Sequence, residues 1–317
     1  MRRHLSPIGF VIAIASGLLA NATSAQAASL ETWVSATGSN AGVCTAAAPC
    51  RTFEFAHGQT SPGGSINVLS SGNFGPLTIT KSISIVAEGV EAVINSSTGG
   101  GPAGAGAAIV VNGSNIVVSL RGVTIDLTNA NGINFLSGAA LHVHNSVIRR
   151  SVVGILFQPA SGPSALYAAD LVIANSASNG ITVNPNGSGR TKVVLDRIGV
   201  EKSAINGMSI NGLNSTGSIT ATVRDSVFAG NGGAGISAWE SGGGGIKVMI
   251  DRTALADGLQ GVSAVGAGAI VRIGDSTITG NTKALNTSSG GVIASYGTNK
   301  VNGNTNDGAA PTPVAYK

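Results

Sequence analysis

Charged and aromatic side chains are both scarce in this chain: 10% of its 317 residues are Asp, Glu, Lys or Arg, and 4% are Phe, Trp or Tyr. Globular chains typically carry about 25% charged residues. Clustered Lys and Arg interleaved with aromatics, which nucleic-acid binding requires, are missing, so no nucleic-acid partner is expected. Removing Arg2 and Arg3 with a leader would leave 16 basic residues against 14 acidic ones, a net of +2. The high isoelectric point of about 9.3 therefore reflects few charges rather than a basic patch. Cysteine is limited to Cys44 and Cys50. No C-x-x-C pair and no Cys/His cluster of metal-binding type accompanies them, so neither redox chemistry nor a structural metal is expected. No phosphate-loop pattern surrounds the glycine-rich Ser97–Ala108, which reads as a flexible loop between structural units. No cofactor is implied.

What is abundant is glycine, with 47 residues, and 43% of the chain is hydrophobic. That content excludes disorder and suggests short strands joined by tight turns. Arg2 and Arg3, the apolar run Ile8–Ala20 and the small-residue site Ala25-Gln26-Ala27 read as a signal peptide cleaved after Ala27. The run is too short to span a bilayer comfortably, and no second long run follows, so no stable membrane insertion is expected after cleavage. The chain is read as secreted or periplasmic. An even cysteine count in an exported chain implies a local disulfide between Cys44 and Cys50.

Self-similarity organises the rest. The last apolar residue of each short "xVI"-like strand falls at Ile125, Ile148, Ile173, Val200, Phe228, Leu255 and Ile278, at intervals of 23 to 28 residues. Five and seven residues before every anchor stand further apolar residues, from Leu120 and Val118 to Ile273 and Val271. This is strand alternation with one buried face. A glycine-led strand follows each of six anchors, opening at Gly132, Gly154, Gly180, Gly207, Gly235 and Gly261. There a turn needs positive φ or a close backbone approach. The pattern predicts an all-β solenoid of roughly ten coils, with three short parallel strands per coil stacked about 4.8 Å apart.

The stretches "GPLTITKSISIVAEG" (75–89) and "PCRTFEFAHG" (49–58) resemble the first coils and the N-terminal capping helix of the right-handed parallel β-helix (pectin/pectate lyase-like) superfamily. That superfamily holds pectate lyases, polygalacturonases and pectin methylesterases. The likeness covers about Leu30 to Asn306 and extends to secreted bacterial β-helix repeat proteins. The chain is expected to divide into a signal peptide over 1–27, an N-terminal cap with the disulfide over 28–64, a parallel β-helix over 65–306 and a flexible tail over 307–317. The resemblance also implies an asparagine ladder at a turn, for which Asn145 is the candidate.

In pectate lyase-like enzymes the chemistry sits on the outer face of one sheet, which the glycine-led strands match best. Their outward positions read Asn134, Leu156, Thr182, Ser209, Ser237, Ser263 and Asn286, without a carboxylate, Lys, Arg or His. Glycoside hydrolysis needs two carboxyl groups, and β-elimination needs a base and usually a cation. The family's Gly-His-Gly, Gln-Asp-Thr and Asp-Phe-Ile-Phe-Gly motifs and its adjacent Asp pair are also absent. The expectation is a secreted, non-catalytic protein of the cell envelope or exterior, structural or weakly polysaccharide-binding, with Arg121, Asn134, Thr182 and Ser209 as binding candidates.

The alternative is a lyase acting on uronate-containing glycans. Its candidates are His142, His144, Arg149, Arg150, Tyr167 and Asp126: Arg could hold a uronate, and His or Tyr could exchange a proton. Of these, Asp126 is the one obvious third ligand for the His-x-His pair, so no metal site is expected. A charge ladder is expected where "DR", "RD" and "DR" recur in successive coils, at Asp196-Arg197, Arg224-Asp225 and Asp251-Arg252. In register each column alternates in sign, and a slip would oppose like charges. Trp33 and Trp239 are read as packing residues. Oligomeric state and ligand identity are left open.

Overall fold

Period-two alternation places every second side chain on one face, and only a closed coil can bury that face along the whole chain. The computed structural model describes residues 28–97 and 106–315. All three apolar columns are buried, from Val118, Leu120 and Ile125 to Val271, Ile273 and Ile278. Leu141 pairs with Val118 and Leu166, and Val143 with Leu120 and Ala168, so the columns stack in the expected register. The expected signal peptide and most of the loop after Ser97 lie outside the described residues.

The strands assemble into a 10-stranded sheet made of the glycine-led segments and a 19-stranded sheet holding the other two faces of the coil. Those two faces merge because Ala140–Arg149, Ser164–Ala174 and Thr191–Glu201 run unbroken around the corner between them. The corner residue has positive φ in seven successive coils: Gly122, Asn145, Asp170, Arg197, Asp225, Arg252 and Asp275. Short polar side chains tolerate that conformation best, which accounts for the Asn and Asp entries of the column. About eight turns are complete, fewer than the ten expected. At both ends the middle strand shrinks to two residues, Gly72–Asn73 and Lys300–Val301, and sequence periodicity does not register where pairing thins. Beyond Asn306, Thr312–Pro313 still pairs with Ala294–Ser295.

The expected asparagine ladder lies elsewhere. Asn145 is an exposed corner residue. The ladder forms three residues after the anchors, where Asn231, Asn281 and Asn304 donate Nδ2–H to the preceding coil's anchor carbonyls, Val200 (3.2 Å), Leu255 (3.0 Å) and Ile278 (2.9 Å). Upstream the column continues as buried Ser151, Ser176 and Ser203, whose hydroxyls make no hydrogen bond. Trp239 also departs from expectation. Its register opposite Asn211 and Val265 turns it outward, and it is 48% exposed.

The N-terminal end is closed by the helix Phe53–Gln59, whose N-cap Thr52 accepts a hydrogen bond from the Phe55 amide. The Cys44–Cys50 disulfide is present. Trp33 is tied to it, donating its amide to the Cys44 carbonyl and accepting from the Cys50 amide, both at 2.8 Å. His57 faces inward from the helix at 7% exposure, and its Nε2 accepts the Thr80 amide at 3.4 Å. Burial, helped by nearby Lys81, lowers its pKa to about 4.

Between pH 6.5 and about 4 the unfolded chain therefore binds more protons at His57 than the folded one. Stability contributed by neutral His57 is complete above pH 6.5 and is lost as pH falls toward 4, with roughly 2–3 kcal/mol at stake. His142 shifts in the same direction, so the comparison must be between variants. Urea midpoints at pH 7 and pH 4 should differ less for His57→Gln than for wild type. Equal differences would show that His57 does not carry the acid sensitivity.

Candidate functional site

Pairing of Ala140–Arg149 with Ser164–Ala174 sets His142 opposite Tyr167. The two rings stack at 4.8 Å and 13°, and the His144 ring lies 6.3 Å from that of His142. On the next coil, Lys192 Nζ sits 5.6 Å from the Tyr167 ring centroid, within cation–π range. Burial, and secondarily the neighbouring His144, lowers the His142 pKa and favours its neutral form. Both histidines are half-buried and point outward, flanking buried Val143.

The candidate patch divides into two groups. Arg121 is adjacent to His144 in register, but its Nη1 pairs with Glu88 at 3.2 Å. Asp126, Arg149 and Arg150 lie beyond the corner at Gly122 and Asn145. There Asp126 accepts from Arg150 Nε at 2.5 Å and forms an ion pair with Arg149 Nε at 3.1 Å. Asp126 and both guanidiniums are thus already engaged with one another.

The outward column of the glycine-led face runs in unbroken register through Asn134, Leu156, Thr182, Ser209, Ser237, Ser263 and Asn286. It is less open than the sequence suggests. Asn134 is 1% exposed, and its Oδ1 accepts Asn131 Nδ2–H at 2.9 Å, so it cannot serve as an open contact. Thr182 Oγ1 accepts Asn179 Nδ2–H at 3.1 Å. Ser209 is half-buried beside it.

The charge ladder stacks as expected, with Asp196 opposite Arg224 and Arg224 opposite Asp251. Its ion pairs all reach backward. Arg197 grips Asp170 of the preceding coil with two bonds of 2.7 and 2.9 Å, and Arg252 grips Asp225 likewise. Arg224 Nε reaches Asp196 at 3.0 Å. Arg197 and Arg252 each also pair with the aspartate just before them, Asp196 and Asp251. These hydrogen bonds hold the carboxyls of Asp170 and Asp225 below their ordinary range and raise the guanidiniums of Arg197 and Arg252. The Arg197–Asp170 and Arg252–Asp225 pairs are exposed and specify coil register more than they stabilise, whereas Asp196 is buried between its two arginines.

A solved structure of similar shape is a rhamnogalacturonan lyase, which superposes with a TM-score of 0.56 at 13% identity over 89% of this chain and 88% of that one. The fold, a parallel β-helix, is shared with that lyase. The pectate lyase Pel9A gives a TM-score of 0.49 at 15% identity, over 81% of this chain and 76% of its own. No family model and no curated protein matches the chain. Within this β-helix, sequence reasoning passed over three exposed cations: Lys192 and Lys247 on the outer face of the strands that precede the corner, and Arg190 just before the first of these strands. Lys192 and Lys247 directly precede Val193 and Val248 of an inward column, so alternation alone marked them as outward and in register.

Proposed function

We propose that this β-helix is a secreted, non-catalytic polysaccharide-binding protein of the cell envelope or exterior. One observation carries the reading: the outward column of the glycine-led face bears no carboxylate, Lys, Arg or His, while Asp126 beside the His/Tyr cluster is neutralised by Arg149 and Arg150. General acid–base chemistry needs a free group poised at the bond to be broken, and neither place offers a carboxylate in that role. The disulfide fits an oxidising compartment.

The lyase alternative keeps one supporting feature, the neutral-leaning His142 stacked on Tyr167. Incubation with a panel of uronate-containing and neutral polysaccharides separates the two. The expected result is retention of the protein on immobilised glycan without any rise in ultraviolet absorbance from unsaturated products. Product formation that is lost in a folded His142→Ala/Tyr167→Phe protein would replace this reading with the lyase.

A further inference from the structure

We infer that the groove lined by Arg190, Lys192, Thr220 and Lys247 is a track for an acidic polysaccharide lying along the axis of the β-helix. This rests on the polysaccharide-binding reading and adds a place and a chemical class to it. The groove encloses about 370 Å³, and no carboxylate lines it. Its cations are exposed, and none of the ion pairs among the described residues involves them. This contrasts with the columns four and five residues further along the same strands, where Asp and Arg neutralise each other coil by coil.

The groove is open because its edge is backbone. Gly189, Gly217 and Gly244 stack in successive coils, and a Cβ on any of them would overlap a carbonyl oxygen of the coil before. Gly244 and Gly245 line the groove directly. The turn they belong to is fixed by buried Glu240, whose carboxylate accepts the Gly243 and Gly268 amides. That carboxylate is thus engaged by backbone amides and does not line the groove. At the start of the same turn Trp239 presents an exposed ring that no other aromatic covers among the described residues, an apolar surface of the kind that sugar rings stack on.

The spacing fits a polymer rather than a single ion. Lys192 pairs in register with Thr220, and Thr220 with Lys247. The two ammonium groups therefore spring from positions two coils apart, about 10 Å at about 4.8 Å per coil. An extended glycan that presents a carboxylate to one side on alternate sugars would meet both, with the Thr220 hydroxyl between them.

The test measures retention by affinity electrophoresis in gels holding polygalacturonate, a neutral galactan, or polyglutamate as a non-saccharide polyanion. Wild type should bind polygalacturonate, lose most of that binding between 50 mM and 500 mM salt, and ignore the other two. Lys192→Ala/Lys247→Ala should weaken the binding at least ten-fold with an unchanged melting temperature, since both side chains are exposed. Equal retention by polyglutamate would overturn the assignment to a saccharide. Polygalacturonate binding that survives the double substitution would overturn the place, and binding to galactan alone would overturn the charge class; in both cases the broader polysaccharide reading stands. Retention by none of the three would remove that broader reading as well.

Discussion

Val143→Asp is expected to destroy the cooperative fold. Val143 is 1% exposed and lies between Leu120 and Ala168 in a column that is apolar from Ile66 to Ile273. No cation or donor faces inward there to meet a carboxylate. An uncompensated buried charge costs on the order of 3–5 kcal/mol, a large fraction of the stability of a typical domain. In a solenoid each coil is held only by its two neighbours, so a failed coil separates the stack into two parts. Circular dichroism should show loss of the single thermal transition, or two weaker transitions in its place. The outward neighbour provides the control: His144→Ala should stay within about 0.5 kcal/mol of wild type. A Val143→Asp protein that melts near the wild-type temperature would mean that the alternation is out of register by one residue.

Gly217→Ala is expected to be nearly as damaging, although it adds only a methyl group. The new Cβ would overlap the carbonyl oxygen of Gly189 and crowd that of Ser188, both backbone atoms of the adjacent coil. Side chains can rotate away from a clash, but stacked backbone cannot move without lengthening the coil spacing. Overpacking of this kind costs roughly 1–3 kcal/mol or more. The melting temperature should fall by several degrees, and Gly189→Ala should behave alike. Gly243→Ala offers a contrast: its Cβ meets nothing, and the penalty there comes from a positive φ of 87° alone. A Gly217→Ala melting temperature equal to wild type would show that the coils are not in backbone contact at this seam.

The fold was legible because it rests on one simple rule repeated many times. Alternation placed Leu141, Val143 and Ile148 correctly, and the other coils followed by register. The corners were harder to read. A column holding Gly122, Asn145, Asp170, Arg197 and Asp225 looks like a run of charges, yet its common property is a left-handed backbone, and charge is secondary. The Asn ladder was misplaced for the same reason: Asn145 satisfies a backbone conformation, whereas Asn231 and Asn281 satisfy carbonyls. The candidate site divided because spacing along a strand does not show a bend. Asp126 and Arg149 are close to His144 in sequence or register but lie around the corner from it. Asn134 was read as open because alternation tells outward from inward, and says nothing of a neighbour such as Asn131 closing over it.

The unbroken strands at the corner have a mechanical consequence. The interstrand hydrogen bonds point along the rod, so a pull on its two ends loads them in tension, one coil interface at a time. Where Ala140–Arg149, Ser164–Ala174 and Thr191–Glu201 bridge two faces, neither face can yield alone, and the coil gives way as a unit. Each release frees 23 to 28 residues, a slack of about 75–100 Å when extended. Stretched from its ends, such a rod lengthens in discrete, nearly equal steps and dissipates work at each one, while it remains stiff between them.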